Sequence, residues 1–249
     1  NTSSKNRAAA PSEPKLSVQF ATGPNLSFPN TGLNAYYNSG SLRYNQIIRN
    51  SGTQQVTSNF YAKMELNGED DAMPQYLAPI NAGLSQQIQI NGVRRLKAGY
   101  NFVRVKADAN ENVRETSESD NILNVEVTYN TQTNTISSRL YNGNPTLFAY
   151  SPSIAPNTLT FPILNISSES RNMAQHIAVY NNRDCAGVAL EPDSIDPGQA
   201  YAVTTLAPNQ SRNYTMALDQ EDYDTLNNTS VGNRCATLRT GEILLSRTF

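Results

Sequence analysis

Between Gly99 and Val127 the chain reads GYNFVRVKADANENVRETSESDNILNVEV, two alternating apolar runs joined by a connection made almost entirely of carboxylates and amides. Phe102, Val103 and Val105 lie among polar residues with a period close to two, and Ile122, Leu123, Val125 and Val127 repeat the pattern on the return. That alternation marks half-buried β-strands. Asp108, Asn110, Asn112, Glu115, Glu118, Asp120 and Asn121 fill the connection. Asp and Asn side chains bond to backbone two residues on and tolerate left-handed conformations, so such a cluster fixes a long turn without buried apolar groups. The chain is committed to β-structure here, around a specified acidic corner.

Flanking segments extend that commitment. Leu16, Val18 and Phe20 alternate as a first strand. Further short apolar runs recur at intervals of roughly ten residues, the spacing of an all-β sandwich. Turn-rich pieces separate them, such as Gly23-Pro24-Asn25 and Pro29-Asn30-Thr31-Gly32. No segment offers sustained helical periodicity. Residues 1–14 lack any period and end at Pro14, the pattern of a flexible tail. Polar Tyr129 to Thr135 interrupts the strands and is expected as a domain boundary. The second half also repeats the first: IIRNSGTQQVTSNFYAKMELNG from Ile47 parallels ILNISSESRNMAQHIAVYNN from Ile163, and each half carries a Leu-Ala-Pro turn, at Leu77 and at Leu206. The expectation is an all-β chain of two tandem Ig-like antiparallel β-sandwiches, residues 15–130 and 136–249.

A family resemblance rests on the same residues. The lead-in Leu96, Ala98, Gly99, Tyr100, then Asp108 at a strand end, Val113 before Glu115, and Glu118 and Asn121 before the final strand resemble the CARDB modules, cell-adhesion-related Ig-like domains of bacteria and archaea. Upstream, Ile47, Ile48, Asn50, Gly52 and Thr53 resemble that family's Asn-x-Gly-Thr corner, and Phe60, Ala62, Met64 and Leu66 its following strand. The resemblance covers about residues 15–129. Its usual Asn-Asn pair is Asp120-Asn121 in this chain. It implies that the acidic corner is mainly a structural turn whose carboxylates cap backbone amides.

Chemistry narrows by residue type. Asp108, Asn110 and Asn112 form the start of a calcium-loop pattern, but Val113 stands where an EF-hand loop needs Gly and Ser119 where it needs Glu. A looser calcium site from Asp108, Glu115, Glu118 and Asp120 stays open beside the structural reading. One histidine, His176, lies in a strand-like run and supplies no catalytic or zinc set, and no Gly-x-Ser-x-Gly elbow occurs. Glu69, Asp70 and Asp71, or Asp193, Asp196, Asp222 and Asp224, read as solvated turns before they read as glycosidase pairs. Cys185 and Cys235 lie at a separation suited to stapling two non-adjacent strands of one sandwich. The alternative is two buried thiols. Tyr36, Tyr37 and Tyr44 could offer rings to a glycan or fill the core. Glycosylation sequons are numerous, among them Asn25, Asn165, Asn213 and Asn228, as an Asn-, Ser- and Thr-rich chain generates by chance.

Nineteen basic residues against 21 acidic ones, net charge -2, leave no electrostatic footprint for nucleic acid. No apolar run approaches the roughly 18 residues of a membrane span. Asn1 is not preceded by a basic and apolar leader, so a signal peptide is expected to have been removed. The reading is a noncatalytic extracellular or cell-surface structural and adhesion protein without a cofactor, calcium aside. A sharper version is a filament subunit that donates the Leu16, Val18, Phe20 strand to a neighbour. The alternative is a glycan- or protein-binding accessory module of a secreted enzyme system.

Overall fold

The computed structural model describes residues 22–29, 34–38, 40–143, 145–173, 176–187, 189–190 and 204–249. The candidate donor residues Leu16, Val18 and Phe20 lie outside them, as do Asp193 and Asp196. The fold is all-β, two tandem Ig-like antiparallel sandwiches. In the first, the strands are β1 (Leu26–Ser27), β2 (Asn34–Asn38), β3 (Ser41–Asn50), β4 (Phe60–Leu66), β5 (Glu69–Asp70), β6 (Gln75–Leu77), β7 (Ser85–Asn91), β8 (Gly99–Lys106), β9 (Ile122–Asn130) and β10 (Thr135–Leu140). One sheet runs β1-β3-β2 with β7 on the other side of β3, and the facing sheet runs β10-β9-β8-β4-β5 with β6 on β4.

Strict alternation explains why these runs pair as they do. In β3, Leu42, Tyr44, Ile48 and their even-numbered neighbours are buried while the odd-numbered residues face outward. A slip of one residue would put the apolar set in water, so register is fixed by burial. Leu26, Tyr44, Phe60, Met64, Ile88, Val103 and Val125 close the core between the two sheets with no exposed area or almost none. Tyr129 to Thr135, expected as a boundary, forms the tip of the β9/β10 hairpin, and β10 stays in the first sheet as far as Leu140. Asn130 shapes that tip, its Oδ1 accepting the Gln132 and Thr133 amides at 2.9 and 3.2 Å.

The second sandwich holds β11 (Leu147–Ala149), β12 (Ser153–Ala155), β13 (Thr158–Asn165), β14 (Arg171–Met173), β15 (His176–Tyr180), β16 (Thr204–Leu206), β17 (Ser211–Ala217), a helix α1 (Gln220–Asn228), β18 (Cys235–Thr240) and β19 (Ile243–Thr248). β13 pairs with β11 and β12 on one side and β17 on the other, β14 pairs with β16, and β15-β18-β19 form a third sheet. The helix was not expected. It is nine residues long and buries only Leu226, too little apolar face to show a period. Local chemistry makes it: Asp219 caps it by accepting the Asp222 amide at 2.7 Å, and Glu221 and Asp222 place negative charge in the first turn.

The internal repeat is a repeat of hydrogen bonds. Asn50, fully buried, donates from Nδ2 to the Gln54 and Ile80 carbonyls at 2.8 and 3.0 Å and accepts the Gly52 amide at 3.1 Å. Asn165, also fully buried, donates to the Glu169 and Leu206 carbonyls at 2.8 and 2.9 Å and accepts the Ser167 amide at 3.0 Å. Both backbones close the same way, through Gly83 N to Asn50 O and Asn209 N to Asn165 O, each 2.8 Å. Gly83 and Asn209 both sit at positive φ, 75° and 57°. The two Leu-Ala-Pro turns are therefore offset: Leu77 and Leu206 both end a strand, but the carbonyl that the asparagine holds belongs to Ile80 in one copy and to Leu206 in the other.

Candidate functional site

The acidic corner wraps the beginning of the first sandwich. Asp108, at φ 48° and 3% exposed, accepts the Asn112 amide on Oδ1 at 3.0 Å and the Val113 amide on Oδ2 at 2.8 Å. Asn110 accepts the Tyr61 amide at 3.0 Å, which ties the corner to β4. Glu115 accepts the Leu26 amide in a close contact and the Asn121 side-chain amide at 3.3 Å. Glu118 accepts the same Asn121 group at 3.2 Å, and Asp120 accepts from Asn25 Nδ2 at 2.7 Å. Thr116 N donates to Pro24 O at 3.0 Å and Ser117 N to Asn25 Oδ1 at 3.1 Å. From the opposite side Asn50 Oδ1 accepts the Asn25 amide at 3.1 Å and Ser51 N donates to Asn25 O at 2.7 Å. The segment from Gly23 to Leu26 is thus gripped between two corners.

This geometry directs the carboxylates toward N–H groups. Among the described residues, no three His, Cys, Asp or Glu side chains are grouped so as to hold a metal ion. Burial, joined by the neighbouring Glu118 and Asp108 charges, pushes the Glu115 carboxyl up from its ordinary 4.5 to about 7, against the pull of the Leu26 and Asn121 hydrogen bonds. A carboxyl partly removed from water beside like charges holds its proton more tightly.

Other candidates are dispersed. Glu69 pairs with Arg94, and Asp70 with Lys63 at 2.6 Å. Asp71 is fully buried, and its Oδ1 receives the Val93 and Arg94 amides at 3.2 and 2.6 Å. Asp224 accepts from Gln220 at 2.8 Å on the helix. His176 stands exposed in β15 opposite Arg239. Tyr44 is fully buried and Tyr37 packs on Tyr129 with centroids 4.7 Å apart, leaving Tyr36 as the exposed ring of the three. Cys185 and Cys235 form a disulfide with Cα atoms 5.2 Å apart. It ties the loop after β15 to the start of β18, the strand that β15 itself pairs with, so the staple joins neighbours and not separated strands. Asn182 presents Cys185 by accepting the Asp184 and Ala186 amides at 3.2 and 3.1 Å.

What the sequence did not show is the joint between the sandwiches. Phe102 of β8 packs on Phe148 of β11, and Tyr150, Leu164 and Ile166 complete a buried cluster that draws on both halves. Arg247 of β19 is its pin. The guanidinium pairs with Glu126 at 2.8 Å, donates from Nε to Ala149 O at 2.7 Å, and lies over the Tyr100 and Phe148 rings at 4.3 and 4.9 Å. Glu126, 2% exposed, takes Arg139 as its second partner at 2.6 Å. Arg104 donates to Ile166 O across the same seam. Gly99, at φ 78°, brings its backbone against Ser151, whose Oγ accepts the Tyr100 amide at 3.1 Å; a Cβ at Gly99 would meet that Oγ at 1.9 Å. Only glycine fits there. Glycine beside Tyr100 was visible in the sequence, but nothing nearby names Ser151 or Arg247.

Corner, asparagine anchor and hairpin together agree with one family. Residues 23–125 match the CARDB family model. CARDB segments are noncatalytic, adhesion-related Ig-like modules. The crystal structure of a CARDB domain from Pyrococcus furiosus, in complex with di-metal ions, is similar at 16% identity and a TM-score of 0.35, covering 43% of this chain and 88% of that one. Red sea bream transglutaminase is similar at 9% identity and TM-score 0.23 over 87% of this chain and 31% of its own. A GH2 β-galacturonidase from Eisenbergiella tayi bound to galacturonate is similar at 9% and 0.24 over 92% and 42%. This chain spans less than half of either enzyme, and the likeness carries nothing of their activities. No curated protein matches it.

Proposed function

We propose that this is a noncatalytic extracellular structural and adhesion protein, in which the two sandwiches, the first running through β10 to Leu140, act as one stiff spacer. The observation that carries the reading is the joint. Two sandwiches strung on a linker would meet through a polar, wet contact, whereas here a buried aromatic cluster and a desolvated Glu126–Arg247 pair fix their relation. The Cys185–Cys235 disulfide supports an oxidising compartment. Among the described residues no helix is long and apolar enough to cross a membrane.

In the sharper form of this proposal the protein is a filament subunit, with the Leu16, Val18, Phe20 strand donated to the next copy. The grip on Gly23 to Leu26 supports it, because a donated strand needs a fixed point from which to leave its own sandwich. Light scattering with negative-stain imaging tests both levels, comparing the full chain with one that starts at Gly23. Fibres that vanish in the shorter chain are the expected result for a filament subunit. Monodisperse monomers from both chains would end the filament reading, and lobes at variable angles would end the stiff spacer as well.

A further inference from the structure

We propose that the outer face of the β1-β3-β2 sheet, continued by β7, binds an anionic polysaccharide. This goes beyond the spacer reading and does not need a filament. The face is built by register. β3 turns Arg43, Asn45, Ile47 and Arg49 outward while its other residues enter the core. Pairing sets Tyr36 and Asn91 on either side of Arg43, Gln89 beside Asn45, and Gln87 beside Ile47. Ser27 and Ser85 flank Arg49.

Not one of these positions is acidic, in a chain with 21 acidic residues. Among the described residues neither arginine has an ion-pair partner, so both guanidinium groups are open to an anion. Tyr36 is 38% exposed and Ile47 36%. Gln89 donates to the Tyr36 hydroxyl at 2.9 Å and so holds the ring in place. The matching outward positions of the second sandwich, Thr158, Thr160 and Pro162 on β13 with Asn213 and Thr215 on β17, carry no charge.

Chemistry selects the occupant. Arg43 and Arg49 are six positions apart on one strand, about 20 Å at ~3.4 Å per residue, too far for one small anion and suited to an extended polymer. Guanidinium groups take carboxylates in a fork, while amides and hydroxyls serve sugar hydroxyls as donors and as acceptors. Tyr36 and Ile47 supply apolar spots for the C–H faces of pyranose rings. An anionic membrane surface would be drawn to a dense cluster of cations, and this face has two. A peptide would ask for side-chain pockets, and this sheet face presents a flat grid.

Affinity electrophoresis of the full chain through gels containing polygalacturonate tests the proposal, with dextran gels as the neutral reference and poly-L-glutamate as a soluble competitor. Retardation by polygalacturonate and not by dextran is expected, falling with added salt. R43Q/R49Q should weaken it about tenfold with an unchanged melting temperature, and Tyr36→Ala should weaken it less. Arg183→Gln, a charge loss on the other sandwich, should leave it as it was. No retardation at low ionic strength would overturn the inference, as would equal retardation of R43Q/R49Q. Competition by poly-L-glutamate as effective as that by free polygalacturonate would also overturn it, because the face would then read charge alone. Retardation of a strictly monomeric protein keeps this inference while removing the filament.

Discussion

Asn50 and Asn165 do the same work in the two sandwiches, yet the two copies are fastened by different chemistry. Each asparagine is fully buried, holds two carbonyls and accepts the amide two residues on. They differ in what else they accept. Asn50 Oδ1 takes the Asn25 amide at 3.1 Å, a bond to the incoming chain, whereas Asn165 Oδ1 takes the hydroxyl of Ser167 at 2.7 Å, a bond within its own turn. The first sandwich completes its closure with the carboxylates of the acidic corner, the second with a disulfide. One sandwich is closed by bonds that depend on protonation and solvent, the other by a bond that depends on redox state.

That contrast can be broken from the second side first. Replacing Cys185 and Cys235 by serine opens a crosslink across 50 residues and should cost about 4 kcal/mol in the chain-entropy account. Urea denaturation should show the loss, and a reducing agent should reproduce it in the parent chain while doing nothing further to the variant. Asn50→Ala and Asn165→Ala should each cost about 3 kcal/mol, since each strands one buried carbonyl, of Ile80 or Leu206, with a partly exposed one and an amide. Near-equal costs would show that the repeat is energetic as well as geometric; a much smaller cost at Asn165 would show that the disulfide has taken over its task.

Gly99→Ala forces a Cβ into Ser151 and an unfavourable positive φ, and should destabilise by about 2 kcal/mol. If the sandwiches act as one body, its unfolding should stop being a single transition. The smallest effect concerns acid. Glu115 holds its proton more tightly folded than unfolded, so its contribution is complete below about pH 4.5 and is lost as pH rises through about 7. Stability should fall by about 1 kcal/mol across that interval after solvent screening. Glu115→Gln should flatten the slope in urea midpoints measured at successive pH values.

The elements of this fold were legible where a pattern repeats within a few residues. Alternation in 102–105 and 122–127 located β8 and β9, and the Asn, Asp and Glu spacing located the corner between them. The matching apolar runs around Asn50 and Asn165 revealed the repeat. Legibility ended where a contact links distant residues by shape alone. Ser151 and Arg247 carry no local signature; Tyr100 was visible only as part of the Gly99-Tyr100 lead-in, and Glu126 only as a residue of an alternating strand. Identity of letters misled once, because the two Leu-Ala-Pro turns match as text while the asparagine bonds place their carbonyls three residues apart.

Arg247 also gives the molecule a timetable. Glu126 belongs to the first sandwich, and its main buried partner arrives on the last strand of the second. In a chain made at roughly 5–20 residues per second, that partner appears on the order of ten seconds later. Until then Arg139 alone answers the charge, from a side chain that is 71% exposed. The newborn first sandwich therefore presents a half-compensated carboxylate and a Phe102 ring without its Phe148 partner for seconds, a window in which a chaperone, or another newborn chain, meets the surface that the finished protein hides.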